Sequence, residues 1–175
     1  MDKLYLRKLE QTDKAEVTEY LQELIVNGNT IKGFLYDDGK TFEQLYAEIK
    51  RKEKVVFNSY LQDDFPCVQY LVSEKESSRI VGFVSVRPFL TKELDKGFEG
   101  NIGYSVRPSE RGKGYANIAL KLAISEFKKI NEKDDIVMCC YKENLPSKKV
   151  ILNNGGVLIE EEGGILVAQK YLIKR

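Results

Sequence analysis

A strand-like segment in the middle of the chain leads through a glycine-containing turn into a helix, and this arrangement limits the fold most. Apolar residues alternate over Ile102–Val106, and Pro108 then ends any sheet ladder. Gly112–Gly114 reads Gly-Lys-Gly, and apolar residues recur at helical spacing from Ala116 onward. Such a corner gathers unpaired main-chain N–H groups and the positive end of the helix dipole. It therefore predicts a site for an anion.

The residues of this turn favour phosphate as the anion. Gly112 and Gly114 let the backbone approach a ligand without a Cβ in the way, and Arg111 and Lys113 add positive charge. The turn lacks the third glycine of the dinucleotide fingerprint and the Ser or Thr of a Walker loop. An ordinary strand–turn–helix corner is the alternative, because glycine turns before helices are common.

The motif Val106-x-Pro108 followed by Arg111-x-x-Gly114-x-Ala116 resembles the pyrophosphate-binding motif of the GNAT superfamily of acetyl-CoA-dependent N-acetyltransferases. The resemblance implies that acetyl-CoA is the acetyl donor and that its phosphates contact this loop. The residues that it assigns to cofactor binding are Val106, Arg111, Gly112, Lys113, Gly114, Tyr115 and Ala116.

A second element with the same resemblance is Asn144-Leu-Pro-Ser147, which follows a buried strand. It is similar to the Asn-x-x-Ser/Ala step of the superfamily, which implies that Asn144 and Ser147 contact coenzyme A. The alternative for Asn144 is a helix cap, a role that asparagine fills well.

The chain departs from the pattern of its relatives at two positions. The segments Gly103–Arg111 and Asn153–Leu158 resemble a bacterial subgroup of predicted acetyltransferases, which commonly has His directly before Ile-Gly-Tyr. Asn101 stands there in this chain and cannot act as a base at neutral pH. Family members often carry Tyr seven residues after the motif asparagine, where this chain has Ile151.

The sequence therefore has to supply the acid and the base from other residues. Glu99 lies two residues before Asn101 and is the predicted general base, with an exposed strand-edge glutamate as the alternative. Tyr104 and Tyr141 are the candidates for protonating the leaving thiolate, although a buried tyrosine bonded to a backbone group is more common. A main-chain N–H of Tyr104–Val106 is predicted to hold the thioester oxygen.

The amine acceptor is predicted to be a small molecule or a peptide, bound by the first two helices, their connecting loop and the Arg87–Phe98 loop. Acidic and aromatic residues of that region that could attract a cationic amine are Phe34, Tyr36, Asp37, Asp38, Tyr60, Asp63 and Asp64. Direct attack in a ternary complex is the predicted reaction. A coenzyme A-binding sensor or interaction module without turnover is the alternative.

The composition excludes several other classes of protein and site. With no histidine and only three cysteines, Cys67, Cys139 and Cys140, the chain predicts no metal site, no disulfide framework and no activated thiol. The net charge of +1 does not favour nucleic acid as a partner. No apolar run approaches the roughly 18 residues of a membrane span, and no secretory signal is recognisable, so we expect a cytoplasmic protein. A homodimer is left open.

The periodicity of the chain predicts a mixed α/β fold in one domain, residues 1–175. The predicted order is strand, two helices, three strands, helix, strand, helix and two strands. This is the order of a GNAT-like acyl-CoA N-acyltransferase fold, in which helices flank a central mixed, mostly antiparallel sheet. The segment Ile136–Tyr141 is nearly all apolar and predicts a strand buried on both faces.

Overall fold

The computed structural model describes residues 3–28, 40–58, 67–90, 99–132, 134–163 and 167–174. In chain order the strands and helices are β1 (Leu4–Arg7), α1 (Lys14–Val26), α2 (Phe42–Asn58), β2 (Val68–Glu74), β3 (Ile80–Val86), β4 (Ile102–Val106), α3 (Tyr115–Ile130), β5 (Ile136–Tyr141), α4 (Leu145–Asn153), β6 (Gly156–Glu162) and β7 (Ala168–Ile173). Short 3-10 turns precede α1 at Gln11–Asp13 and α3 at Pro108–Glu110. The predicted order of elements is confirmed.

The strands form two antiparallel sheets. The first has the order β1-β2-β3-β4 and the second has the order β5-β7-β6. The predicted mixed α/β class with a mostly antiparallel sheet is confirmed, and the sheet is divided between β4 and β5. Within the described ranges, no helix is both long enough and apolar enough to span a membrane.

The two faces of the first sheet carry separate apolar clusters. Tyr70 and Val84 pack with residues of α3 and β5 on one face, whereas Leu71 and Phe83 pack with residues of α1 and α2 on the other. The alternation follows from the period of two along a strand. The side chains of β3 that lie on the same face as Phe83 are therefore covered by α1 and α2.

Contacts between elements decide two local features. The Asp13 carboxylate accepts from the Glu10 main-chain N–H at 2.8 Å, before α1 begins, and the Glu16 carboxylate accepts from the main-chain N–H of Ile80. The prediction that β5 is buried on both faces is wrong. Ile136 and Met138 pack in the core, whereas Val137 and Cys139 on the other face are half-buried.

Candidate active site

The loop between β4 and α3 takes its shape from two glycines in left-handed backbone conformations. Gly112 has a φ of +80° and Gly114 a φ of +79°. A Cβ built on either residue meets nothing within 4 Å, so the requirement for glycine is conformational rather than steric. These two angles keep the loop non-helical up to Gly114, so that α3 begins at Tyr115.

The main-chain N–H groups at the start of α3 form a cradle for an anion. Among the described residues, none accepts a hydrogen bond from the N–H of Gly112, Lys113, Gly114, Tyr115 or Ala116. The first N–H groups of a helix have no partner within it, and the helix dipole adds positive potential at the same place. The chemistry of this donor set fits a phosphate or pyrophosphate.

The basic side chains of the loop are held against the loop itself. The Nε of Arg111 donates to the main-chain oxygen of Val106 at 3.2 Å. The Nζ of Lys113 lies 2.6 Å from the carboxylate of the buried Glu110. Both positive charges therefore stay close to the unpaired N–H groups.

Tyr115 anchors the first turn of α3 to β2. Its hydroxyl donates to the Glu74 carboxylate, and this bond, together with burial, raises the pKa of Tyr115 to about 12. Its ring lies in the core cluster, so among its polar groups the main-chain N–H is the one that faces the cradle.

A pair of glutamates on α1 fixes the other side of the loop. Arg107 is 1% exposed, and its guanidinium bonds to the carboxylates of Glu19 and Glu23, the latter at 2.6 Å. The second carboxylate oxygen of Glu23 accepts from the Ser109 N–H at 2.5 Å. Burial alone would raise the pKa of Glu23, but the bonds from Arg107 and Ser109 outweigh it and lower the pKa. This clamp could not be predicted from the sequence, since Glu23 and Arg107 lie 84 residues apart.

The edge of β4 next to this loop carries main-chain groups that the β3–β4 ladder does not use. Arg87 N donates to Asn101 O at 2.7 Å, and Arg107 N donates to Val81 O at 2.8 Å. These bonds fix the alternation of the β3–β4 ladder, in which the odd-numbered residues of β4 bond to β3. The N–H and C=O groups of Tyr104 and Val106 consequently point away from β3, toward the open edge.

Asn101 joins the two sheets at the start of β4. Its main-chain N–H donates to Val137 O at 2.7 Å, and its Oδ1 accepts from Val137 N at 2.7 Å. Its Nδ2 donates to Arg87 O at 2.9 Å, which replaces the ladder bond that its own N–H would have made. The side chain is thus fully engaged in holding β3, β4 and β5 together.

Beyond this joint, β4 and β5 separate. At Gly100 a Cβ would lie 2.8 Å from Val137 O, so the main chain at Gly100 contacts the main chain of β5 directly. Farther along, no ladder connects β4 to β5 in the described part of the chain. Two strands that are joined at one end and parted at the other leave a cleft whose open end lies beside the loop.

The structure brings Tyr104 and Ser147 together across this cleft. The Tyr104 hydroxyl donates to the Ser147 main-chain oxygen at 3.4 Å, and burial raises the pKa of Tyr104 to about 12. Asn144 caps α4, because its Oδ1 accepts from Ser147 N at 3.2 Å. Tyr141 ends β5 with its side chain exposed, and its main-chain oxygen accepts from Asn144 N at 2.9 Å.

Glu99 forms an ion pair at the closed end of the cleft. Its Oε2 lies 2.8 Å from the Nη2 of Arg87, whose side chain is buried while that of Glu99 is 45% exposed. The main chain of Arg87 also bonds to Asn101, so Glu99 and the sheet joint share one neighbour. The structure therefore places Glu99 beside Asn101, although neither residue belongs to a strand.

The remaining candidates contribute no further reactive group. Burial raises the pKa of the thiols of Cys67 and Cys140, which keeps them protonated. In the described ranges, no group of three or more acidic or cysteine side chains is placed to hold a metal ion. The predicted acceptor residues Phe34, Tyr36, Asp37, Asp38, Tyr60, Asp63 and Asp64 lie outside the described residues.

Comparison with known proteins gives a family and a fold. A family model described as an acetyltransferase (GNAT) domain matches residues 3–157 of the chain. None of the curated proteins compared with the sequence matches it.

Several solved structures are similar over nearly the whole chain. An acetyltransferase of the GNAT family from Bacillus anthracis has 20% identity and a TM-score of 0.65, with 98% of this chain and 94% of that one covered. The protein yncA from Salmonella typhimurium, solved with its cofactor acetyl-CoA, has 15% identity and a TM-score of 0.66 over the same shares. The ribosomal L7/L12 α-N-protein acetyltransferase RimL, solved with coenzyme A, has 14% identity and a TM-score of 0.68, again over 98% and 94%.

Proposed function

The chain belongs to the GNAT acetyltransferase family, and we propose that it transfers the acetyl group of acetyl-CoA to a primary amine by direct attack in a ternary complex. The observation that carries the proposal is the cradle of N–H groups at residues 112–116, which opens beside the free edge of β4. Acetyl-CoA carries phosphates at one end and a thioester at the other, so it requires an anion site and a neighbouring site for the thioester.

In this proposal the Arg111–Ala116 loop binds the pyrophosphate of coenzyme A. The N–H groups of Gly112–Ala116 donate to phosphate oxygens, and Arg111 and Lys113 neutralise their charge. Val106, Asn144 and Ser147 line the cleft and contact the pantetheine arm, whose amides need hydrogen-bond partners.

The main chain of β4 supplies the donor for the thioester oxygen. The N–H groups of Tyr104 and Val106 point into the cleft because the ladder with β3 uses the residues between them. A fixed N–H aimed at an oxygen that gains negative charge stabilises the transition state.

Glu99 takes the proton of the attacking amine, directly or through a water. The amine nitrogen then bonds to the acetyl carbon, the carbon–sulfur bond breaks, and the thiolate receives a proton from Tyr104 or Tyr141. Tyr104 has that proton to give at neutral pH, since its pKa is raised to about 12.

A second candidate function is a coenzyme A-binding module without turnover. It is favoured by the joint at Asn101, where relatives place a titratable residue and this chain has a fully hydrogen-bonded amide. Ile151, at the position of the usual acid, is buried and apolar.

Thiol release from acetyl-CoA separates the two candidates. We expect release that depends on added amine, measured with a thiol reagent against a panel of small amines and peptides, and an acetylated product of matching mass. Release that is equal with and without every amine would favour the binding module, provided that coenzyme A itself binds.

A further inference from the structure

A row of polar side chains crosses the sheet face that α1 and α2 cover. Gln69 on β2 is the cross-strand partner of Ser85 on β3. The Oγ of Ser85 lies 3.5 Å from Nη1 of Arg87, and Nη2 of Arg87 lies 2.8 Å from the Glu99 carboxylate. We call these four residues, Gln69, Ser85, Arg87 and Glu99, the polar row. It begins at the proposed base and runs into the protein.

The neighbours of the row confirm which face it occupies. Phe83, two residues before Ser85, packs against Tyr20 of α1 with ring centroids 4.9 Å apart. The Tyr20 hydroxyl lies 2.6 Å from the Ser105 hydroxyl on β4. Gly103, which pairs with Ser85 across the β3–β4 ladder, is half-buried and adds no side chain. The row is therefore bordered on the β4 side by backbone rather than by a side chain.

Gln69 is a buried amide that lacks an oxygen or nitrogen partner among the described residues. The residue is 2% exposed, and within those ranges neither Oε1 nor Nε2 has a hydrogen-bond partner of regular geometry. Its polar neighbour there is the Cys67 thiol, a weak donor. A second buried glutamine provides a direct contrast. Gln169 is 1% exposed, but its Nε2 donates to Glu161 and its Oε1 accepts from the Tyr171 hydroxyl at 2.6 Å. Because an unpaired buried amide destabilises the folded state, Gln69 is not explained by packing.

The surroundings of Gln69 favour an electron-rich partner. Arg87 is buried, and its guanidinium has one short bond to a described residue, the one to Glu99. Burial raises the pKa of the neighbouring Cys67 thiol, while the positive charges of Arg87 and Lys52 act in the opposite direction. Two cations thus lie close to the inner end of the row, where a carbonyl oxygen would be stabilised.

We propose that the polar row recognises an amide on the acceptor, so that the acceptors are amino-acid amides or peptide N-termini rather than simple alkylamines. An amide offers one acceptor and one donor, which match Nε2 and Oε1 of Gln69, and its carbonyl oxygen suits Arg87. The amine beside that amide would then lie toward Glu99. The inference rests on the proposed function, because it names the class of acceptor for that reaction.

The stability of two matched variants tests whether the Gln69 amide is unsatisfied within the protein. Gln69→Met removes the amide and keeps the length of the side chain, so we expect the midpoint of thermal unfolding to rise. Gln169→Met removes two hydrogen bonds at the same burial, so we expect that midpoint to fall. A fall for Gln69→Met as large as that for Gln169→Met would overturn the proposal, because the amide would then be satisfied inside the folded chain.

Selectivity between matched acceptors tests the recognition itself. Alaninamide and isopropylamine differ only in a carboxamide replaced by a methyl group. We expect the parent protein to prefer alaninamide in kcat/KM, and Gln69→Met to reduce that preference on the order of tenfold. Gln169→Met should retain the preference of the parent. An unchanged preference in Gln69→Met would contradict the proposal.

A binding measurement separates failure of the row from failure of the proposed reaction. If the parent protein acetylates no amine, calorimetric titration of alaninamide into the complex with coenzyme A still reports on the row. Binding by the parent that is lost in Gln69→Met would support the proposal. Absence of binding by the parent, or equal binding by both proteins, would overturn it.

Discussion

Glu99 is the residue on which proton transfer depends in the proposed reaction. Glu99→Gln keeps the shape of the side chain and removes the base, so we expect kcat to fall roughly 10²–10⁴-fold. Affinity for coenzyme A should change little, since Glu99 lies at the closed end of the cleft, beside the sheet joint. The rate deficit of the variant should narrow as the pH rises, because more of the amine is then neutral before it attacks.

The pH profile and the binding constant together make the Glu99 prediction decisive. Steady-state rates of thiol release over a range of pH, with calorimetry of coenzyme A for both proteins, provide both quantities. Turnover by Glu99→Gln within a few-fold of the parent would mean that the amine loses its proton to solvent. The Arg87–Glu99 ion pair would then be purely structural.

Individual residues of the site differ in how well their roles can be predicted from the sequence. The conformations of Gly112 and Gly114 are predictable, because a Gly-Lys-Gly turn before a helix favours positive φ angles, and both glycines have them. The role of Asn101 cannot be predicted from the sequence, since its four side-chain and main-chain bonds to Arg87 and Val137 form only when distant strands meet. The sequence identifies Asn101 as a departure from the family, but the fold is needed to explain what it does.

The clamp between α1 and the phosphate loop is a contact between elements far apart in the sequence. Glu23→Gln removes the charge that holds both Arg107 and the Ser109 N–H, so we expect the loop to loosen. Affinity for coenzyme A should fall on the order of tenfold, the equivalent of about one charge-assisted hydrogen bond. Calorimetric titration of the folded variant measures the change.

Glu19→Gln is the matched control for this clamp. Glu19 also pairs with Arg107, but its side chain is 64% exposed, compared with 21% for Glu23. An ion pair open to solvent contributes little, so affinity should stay close to that of the parent. Equal losses of affinity in both variants would indicate that the charge on α1, rather than the geometry of Glu23, supports the loop.

The elements themselves were largely predictable, because each has a local cause. Apolar periodicity gives α1, α2 and α3, and alternation gives β2 and β3, all with bounds close to those predicted. The error at Ile136–Tyr141 has a physical reason: a nearly apolar run does not reveal whether both of its faces will be covered. Its outer face is only half-buried, because the core cluster covers the side that carries Ile136 and Met138.

The joint at Asn101 determines how the two sheets of the molecule meet. Asn101→Ala leaves the Val137 N–H and the Arg87 carbonyl without their side-chain partners. We expect a loss of about 3 kcal/mol in the free energy of unfolding, measured by urea denaturation. Asn144→Ala, which removes an exposed helix cap, should cost only about 1 kcal/mol. Similar losses of stability in the two variants would show that the side-chain hydrogen bonds of Asn101 contribute no more than an exposed helix cap.

The proposed function depends most on coenzyme A binding at the loop before α3, and calorimetric titration of coenzyme A tests this directly. We predict binding by the parent protein and a loss of at least roughly tenfold in Gly114→Glu, because a carboxylate would occupy the anion cradle. Gly155→Glu is the control, since Gly155 has a similar φ of +86° and an equally open Cβ position, but lies after α4. It should bind coenzyme A as the parent does. No heat of binding at millimolar coenzyme A for the folded parent, or equal affinity in Gly114→Glu, would contradict the proposed function.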